Sequence, residues 1–162
     1  MTTPTPTSTP APAAGPSQSR FNRFMAGWLQ SPLGALSGRV VLVRYVGRAS
    51  GCPRRLPVNA EPFGDGYLIR VGRPEQKKWW RNFVSPWPVE LVRGGRRIRG
   101  SAVVVPGTTG NGQRIAADYF LRHHGAARRA GLPKMHKGEV PTAEALQAAA
   151  AGLVFVVVTP EK

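Results

Sequence analysis

Short apolar runs, separated by turns rich in glycine and proline, make up most of the chain beyond residue 38. Their length and spacing predict six β-strands, at about residues 39–46, 54–61, 67–71, 89–93, 96–105 and 152–159. Two turns, Asp65-Gly66 and Gly94-Gly95, are typical of tight hairpins, and Pro57 indicates that the second strand is an edge or carries a bulge. Because hairpins join most of the strands, the pattern predicts a closed or nearly closed antiparallel barrel.

Four segments show helical periodicity instead. Residues 20–30 are amphipathic, with an apolar face formed by Phe21, Phe24, Met25, Trp28 and Leu29. We expect this helix to pack on the domain, to cover a pocket or to lie on a membrane surface. A short helix should follow Pro74, and longer helices should occupy residues 113–130 and 142–151. The fold class is therefore mainly β with flanking helices (α+β).

Helical spacing also assigns side chains to faces. After Pro74, Trp79 and Phe83 are four residues apart and share a face, which places Trp79 at or near the core. Trp80 points about 100° away and is the residue expected to wall a pocket. In the later helix, one face carries Ile115, Tyr119 and either Arg122 or His123.

Composition divides the chain into a tail and a domain. Residues 1–19 are almost entirely Thr, Pro, Ala, Ser and Gly, which predicts a disordered tail followed by one domain over residues 20–162. No apolar window of about 18 residues occurs, and the N-terminus lacks the features of a secretory signal, so we expect neither a transmembrane helix nor export. Cys52 is the only cysteine, which excludes an intrachain disulfide and favours a cytoplasmic location.

The chain is strongly basic, with 23 basic and 8 acidic residues and a formal net charge of +15. This charge indicates a polyanionic partner, such as nucleic acid, an acidic membrane or a phosphorylated cofactor, although a solvated basic surface would look the same. The arginines that crowd the Gly94-Gly95 hairpin are Arg93, Arg96, Arg97 and Arg99. Because the aromatic residues do not alternate with these arginines, nucleic-acid binding is disfavoured.

Several common catalytic motifs are missing from the sequence. There is no Gly-x-Gly-x-x-Gly, no P-loop and no nucleophile elbow. His123 and His124 are adjacent, so they face apart on a helix, and the carboxylates are scattered. We therefore expect no metal site.

The segment from Gly47 to Val58 carries the densest candidate chemistry. It contains three arginines within eight residues, and guanidinium groups suit the geometry of phosphate and carboxylate. Glycines free the backbone at the turn, so Ser50 and its neighbours can offer N–H groups to an anion. Further on, the segment from Lys77 to Phe83 puts cations beside large flat rings. Together the two segments predict a groove for a flat, polyanionic cofactor.

Four stretches of the chain form a recognisable set. They are Gly47-Arg48-x-Ser50-Gly51-x-x-Arg54-x-x-Pro57-Val58, a Gly-Asp-Gly hairpin, Gly72-Arg73-Pro74-Glu75, and Lys78-Trp79-Trp80-Arg81-Asn82. Over about residues 20–125 this set resembles the deazaflavin-dependent nitroreductase and quinone reductase family. Members of that family are actinobacterial split β-barrel proteins that use coenzyme F-420, a phosphorylated deazaflavin with a polyglutamate tail. For the fold, the resemblance implies a split β-barrel of about six antiparallel strands, similar to FMN-binding proteins.

The resemblance implies two groups of contacts to the cofactor's phosphate and acidic tail. The first group comes from the turn and comprises Arg48, Ser50, Gly51 and Arg54, with Arg55 nearby. The second group faces the tail from the later segment and comprises Lys77 and Lys78.

The resemblance also implies contacts near the deazaflavin ring. Pro57 and Val58 would lie where the ring passes, while Trp79 and Asn82 would belong to a helix that borders the cofactor. Tyr119 would approach the substrate side, where it is the candidate proton donor.

Taken together, the resemblance implies an oxidoreductase that uses reduced coenzyme F-420 to deliver a hydride to a quinone, enone or nitro-type acceptor. Two alternatives stay open: a non-catalytic cofactor- or lipophile-binding barrel, and an FMN- or haem-binding relative. The acceptor would be small and lipophilic, and residues 20–30 would bring a cytoplasmic protein to a membrane surface. The oligomeric state is left open, and a dimer is compatible with the sequence.

Overall fold

Seven strands form one antiparallel sheet in the computed structural model, which describes residues 39–134 and 139–162. The strands are β1 (Val40–Val46), β2 (Pro53–Asn59), β3 (Glu61–Phe63), β4 (Gly66–Arg70), β5 (Trp87–Arg93), β6 (Arg96–Pro106) and β7 (Val154–Pro160). Their order across the sheet is β2-β1-β5-β6-β7-β4-β3. The predicted disordered tail at residues 1–19 and the amphipathic helix at residues 20–30 lie outside the described residues.

Short helices occur in two of the connections between strands. A 3-10 helix, Trp79–Phe83, precedes β5, and three α-helices lie between β6 and β7. These are α1 (Gly110–Arg122), α2 (His124–Arg129) and α3 (Ala143–Ala150). Thr109 begins α1 by accepting a hydrogen bond from the Gly112 N–H at 3.0 Å, which satisfies a donor that the helix itself leaves unpaired. None of the helices in the described residues is both long and apolar enough to cross a membrane.

The sheet curls into a barrel that stays open along one seam. Strand β2 comes close to β4, but the two strands share no ladder of hydrogen bonds. Inside the barrel, cross-strand neighbours such as Val43 and Leu91 are almost fully buried. Behind β4 and β7, α1 adds a second apolar layer centred on Phe120 and Phe155. The structure is thus a split barrel with flanking helices, and the predicted fold class is confirmed.

The predicted count of six strands is wrong because the second run breaks at Ala60. The Ala60 N–H donates to the carbonyl of Arg39 at 2.8 Å, and the next residues turn away to form β3. The hairpin between β3 and β4 turns at Gly64 and Asp65, one residue earlier than predicted, since Phe63 pairs with Gly66. The Gly94-Gly95 hairpin is confirmed, and both of its residues have positive φ angles of 54° and 79°.

Two helix predictions also need correction. The segment after Pro74 becomes helical only at Trp79, and it forms a single 3-10 segment. The predicted helix at residues 113–130 is two helices, because His123 leaves helical geometry with φ −128° and ψ 67°. As a result, the His123 side chain projects from the junction between α1 and α2.

The start of α1 packs closely on the end of β6 at Gly112. A Cβ atom at this position would overlap the backbone carbonyl of Pro106, which cannot move aside as a side chain can. We expect Gly112→Ala to lower the free energy of unfolding by about 1–3 kcal/mol in urea denaturation. Gly110→Ala is the matched control in the same helix, since nothing lies within 4 Å of its added Cβ. Equal effects of the two substitutions would contradict this packing.

Tyr45 gives the fold a predicted sensitivity to alkaline pH. Its ring is 9% exposed and packs edge-on against Phe83, with ring centroids 5.1 Å apart. Burial raises the pKa of Tyr45, and the charge of Arg54 only partly offsets that rise. The unfolded phenol therefore ionises first, so the free energy of unfolding should fall as the pH rises above about 10.

Tyr45→Phe should remove this contribution to the alkaline loss of stability. The measurement is urea denaturation of both proteins at several pH values between about 8 and 11. We expect the difference in unfolding free energy between them to change in favour of the variant above about pH 10. A difference that stays constant with pH would contradict the buried, neutral phenol.

Candidate functional site

The open seam of the barrel forms a cleft of about 780 Å³. Strand β2 lines it with residues 56–59, and β4 with the following loop lines it with residues 68–72. Trp79 supplies an aromatic wall, and Tyr119 and His123 border the cleft from α1. The volume lies in the range of pockets that hold cofactors, roughly 300–1,000 Å³.

The walls of the cleft are apolar, and its rim is cationic. Leu56 and Val58 line it while they also pack on the buried core. Three exposed cations, Arg39, Arg70 and Lys77, lie around the same space. Such a combination suits a planar ligand that carries negative charge.

The single carboxylate at the cleft belongs to Glu61, which is buried and has partners on both of its oxygens. Arg122 Nη1 donates to Glu61 Oε1 at 2.8 Å, and His123 Nε2 lies 2.7 Å from Oε2. The guanidinium of Arg39 is 3.8 Å from Oε2. Partial burial lowers the pKa of Arg122, but hydrogen bonds and charges from Asp118 and Glu61 raise it by more, so this guanidinium stays charged. The network joins the end of α1 to β3.

Aromatic contacts hold Tyr119 at the edge of the cleft. Its ring centroid lies 4.3 Å from the imidazole of His123, and the two planes are tilted by 33°. It also packs edge-on against Phe155, with centroids 5.8 Å apart, and the Arg70 guanidinium lies 5.8 Å from the ring centroid. The half-buried phenol is therefore fixed between the helix layer and the cleft.

The structure brings five of the residues singled out in the sequence together at this cleft. They are Pro57, Val58, Lys77, Trp79 and Tyr119. The other residues predicted to contact the cofactor are absent from its walls, and they fall into three groups with different surroundings. One group lies in the turn between β1 and β2, and another lies further along β2. The third group comprises Lys78 and Asn82, at the start of the 3-10 helix and within it.

The assignment of the two tryptophans is partly wrong. Trp79 contacts Phe83 as predicted, with ring centroids 6.0 Å apart, but it also lines the cleft. Trp80, expected to wall a pocket, instead donates its indole N–H to the carbonyl of Pro74 at 3.1 Å. The reason is the geometry of the 3-10 helix, which has three residues per turn and therefore points side chains differently from an α-helix.

Arg48 is exposed in the turn, but its guanidinium binds backbone carbonyls of the protein instead of lining the cleft. Its Nε donates to the carbonyl of Asn82 and its Nη2 donates to the carbonyl of Ser85, both at 2.9 Å. The guanidinium lies 4.2 Å from the centroid of the Trp87 ring. The Arg48 backbone N–H donates to Asn82 Oδ1 at 2.8 Å, and Asn82 Nδ2 donates to the carbonyl of Trp79 at 2.7 Å. Arg48 and Asn82 thus connect the turn to the helix that carries Trp79.

Most amides of the turn are also used within the protein. The Gly51 N–H donates to the carbonyl of Gly47 at 2.8 Å, and Gly51 has a φ of 64°, which favours glycine. Ser50 Oγ accepts from the Cys52 N–H at 3.3 Å. Within residues 47–52, the amides of Ala49 and Ser50 alone have no partner among the described residues.

Arg54 and Arg55 lie where β2 continues from the cleft into a second groove of about 610 Å³. Successive residues of a strand face opposite ways, so Arg54 lies on the side of Tyr45, its cross-strand partner, and Arg55 on the side of Arg44. Arg44 pairs with Glu90 at 3.1 Å. The two arginines therefore do not converge on one point.

Five polar residues at the cleft were not among the predicted site residues. They are Arg39, Asn59, Glu61, Arg70 and His123. One signal was available, because His123 follows Tyr119 at helical spacing and shares its face. The contact between His123 and Glu61 joins positions 62 residues apart, which no local pattern indicates. Within the described parts of the chain, no three His, Cys, Asp or Glu side chains come together as metal ligands would.

Comparison with known proteins finds likeness only at the level of solved structures. No family model and no curated protein sequence matches the chain. A haem storage protein of Vibrio cholerae, HutZ, is 13% identical with a TM-score of 0.47, over 79% of this chain and 85% of that one. An FMN-binding, pyridoxamine 5'-phosphate oxidase-related protein of Nostoc punctiforme is 14% identical with a TM-score of 0.46, over 86% and 80% of the two chains. An F-420 reductase is 17% identical with a TM-score of 0.40, over 84% and 92%. Likeness this distant does not show what the present chain binds.

The role of Arg48 in connecting the turn to the 3-10 helix can be tested by its effect on stability. Arg48→Ala should lower the free energy of unfolding by about 1–2 kcal/mol, because two carbonyl acceptors and the Trp87 ring lose their partner. Arg48→Lys should restore only part of this loss, since an ammonium group cannot replace the planar fork. Arg96→Ala, at an exposed hairpin position, is the control in urea denaturation. Similar losses for Arg48→Ala and Arg96→Ala would contradict the anchoring role.

Proposed function

We propose that this chain is a small oxidoreductase that binds a planar, anionic redox cofactor in the seam cleft, and that the cofactor is coenzyme F-420. The observation that carries the proposal is the meeting of both seam strands, Trp79 and Lys77 at one cleft. Apolar walls can hold a flat ring system, while the cationic rim compensates negative charge. The net charge of +15 favours the approach of an anionic ligand to the whole molecule.

The residues of the cleft fit a deazaflavin in the following way. Pro57, Val58 and Trp79 would hold the ring, and Lys77 and Arg70 would face its charged substituents. An acidic tail would follow β2 towards Arg54 and Arg55. Four residues of strand separate Val58 from Arg54, about 13 Å, which an extended tail can span. Lys78, exposed at the start of the 3-10 helix, does not line the cleft and has no part in this arrangement.

The turn between β1 and β2 would act on the cofactor mainly by holding the Trp79 ring in place. Arg48 and Asn82 hold the 3-10 helix, so they fix the Trp79 ring that walls the cleft. The free amides of Ala49 and Ser50 are the donors that this turn would offer to an anion, and Gly51 supplies the backbone shape that presents them.

When bound, the reduced cofactor would supply a hydride to a quinone, enone or nitro-type acceptor. The chain's own residues would orient the ring, exclude water and move the accompanying proton. Tyr119, at the edge of the cleft, is one candidate for that last role. A small lipophilic acceptor, membrane contact through residues 20–30 and dimer formation stay predictions.

Cofactor binding is tested by titrating the full chain in parallel with oxidised F-420, FMN and haem. We expect F-420 to bind most tightly. Lys77→Glu should weaken its binding by about tenfold, or about 1.4 kcal/mol, because it reverses a charge at the rim of the cleft. Lys78→Glu is the matched control, since it makes the same change one residue away from the lining.

Three results would contradict the proposal or part of it. Tightest binding of FMN or haem would show that F-420 is not the cofactor. Equal effects of Lys77→Glu and Lys78→Glu would show that the ligand binds outside the cleft. The third result is binding without turnover, in which the deazaflavin absorbance does not change when reduced cofactor and a naphthoquinone are mixed with the protein. The protein would then be a carrier and not a reductase.

A further inference from the structure

His123 lines the seam cleft at a place where an imidazole can transfer protons. It ends α1, and its backbone N–H donates to the carbonyl of Tyr119 at 2.9 Å. Its side chain is 20% exposed, and its Nε2 lies 2.7 Å from Oε2 of the buried Glu61. A carboxylate that holds an imidazole at the wall of a cleft is a common arrangement for general acid and base chemistry.

The hydrogen bond to Glu61 decides which ring nitrogen of His123 is available to a ligand. A carboxylate only accepts hydrogen bonds, so Nε2 of His123 must carry the proton that it donates. The second nitrogen, Nδ1, has no hydrogen-bond partner within residues 39–134 and 139–162. When the ring carries a second proton, Nδ1 is the atom that can give it to a ligand.

The surroundings keep this pair in place. Arg122 holds the other oxygen of Glu61 at 2.8 Å, and the Tyr119 ring covers the imidazole at 4.3 Å. The other charged groups near the pair are Asp118, Arg39, Arg70 and Lys77.

We infer that His123 is the proton donor for acceptor reduction in the seam cleft, with Glu61 and Arg122 as positioning residues. This inference rests on the proposed function. For a quinone, the bound reduced cofactor would supply the hydride, and Nδ1 of His123 would supply the proton that completes the hydroquinone. The neutral imidazole would then take a proton from solvent, and the second proton released on oxidation of the cofactor would pass to solvent.

The first test is the rate of naphthoquinone reduction with saturating reduced F-420. His123→Gln should lower kcat by about 100-fold, because general acid catalysis contributes a factor of that order. The exposed neighbour His124→Gln should keep the wild-type rate.

Glu61→Gln separates a positioning role from a purely structural one. The amide oxygen can still accept the Nε2–H bond, but the negative charge is gone. The substitution should therefore lower kcat for naphthoquinone, while the KM and the fold stay close to those of the wild type. An unchanged kcat in this variant would overturn the role of Glu61.

A second readout needs no cofactor. In nitrogen-15 spectra of the full chain at high pH, the His123 ring, identified by the loss of its signals in His123→Gln, should be in the Nε2–H form. An Nδ1–H tautomer for His123 would overturn the inference. So would a Tyr119→Phe variant that loses the activity while His123→Gln keeps it. Failure of the wild type to bind F-420 would instead contradict the proposed function. The experiments therefore distinguish a wrong cofactor from a wrong role of His123.

Discussion

Strand β2 has no backbone donor at Pro53 or Pro57, and this constraint shapes the rest of the molecule. A strand with two prolines is tolerated at the edge of a sheet but cannot complete a ladder on its free side. The barrel therefore curls until β2 meets β4 and stops short of closing. The gap that results is the cleft, so the candidate site is a direct consequence of an edge that cannot pair.

Two clamps hold the walls of that gap. On one side, Arg48 and Asn82 tie the turn after β1 to the 3-10 helix and fix Trp79. On the other side, Glu61 binds Arg122 and His123, which fixes the end of α1 against β3. Both clamps use charged or polar groups whose donors and acceptors are paired within the protein. The cations that remain exposed at the cleft are therefore those available to a ligand.

Much of the fold was accessible from local patterns. Strands β1, β5, β6 and β7 lie within two residues of their predicted bounds, because turn residues and apolar runs are local signals. Pro57 correctly indicated an edge strand. The short strand β3 was missed because its boundary is set by a contact between Ala60 and Arg39, which are distant in sequence. The break at His123 was missed for a similar reason, since helical periodicity continues across it.

The sequence by itself determined the chemistry that the chain can offer: a strongly basic surface, an edge strand with prolines, and tryptophans beside lysines. Only the tertiary structure decided which of these groups meet. Lys77 lines the cleft, whereas its neighbour Lys78 does not. The Arg48 guanidinium donates hydrogen bonds to carbonyl groups of the protein. The physical reason is that side-chain direction depends on strand register and helix type, and these are set by contacts between segments far apart in the chain.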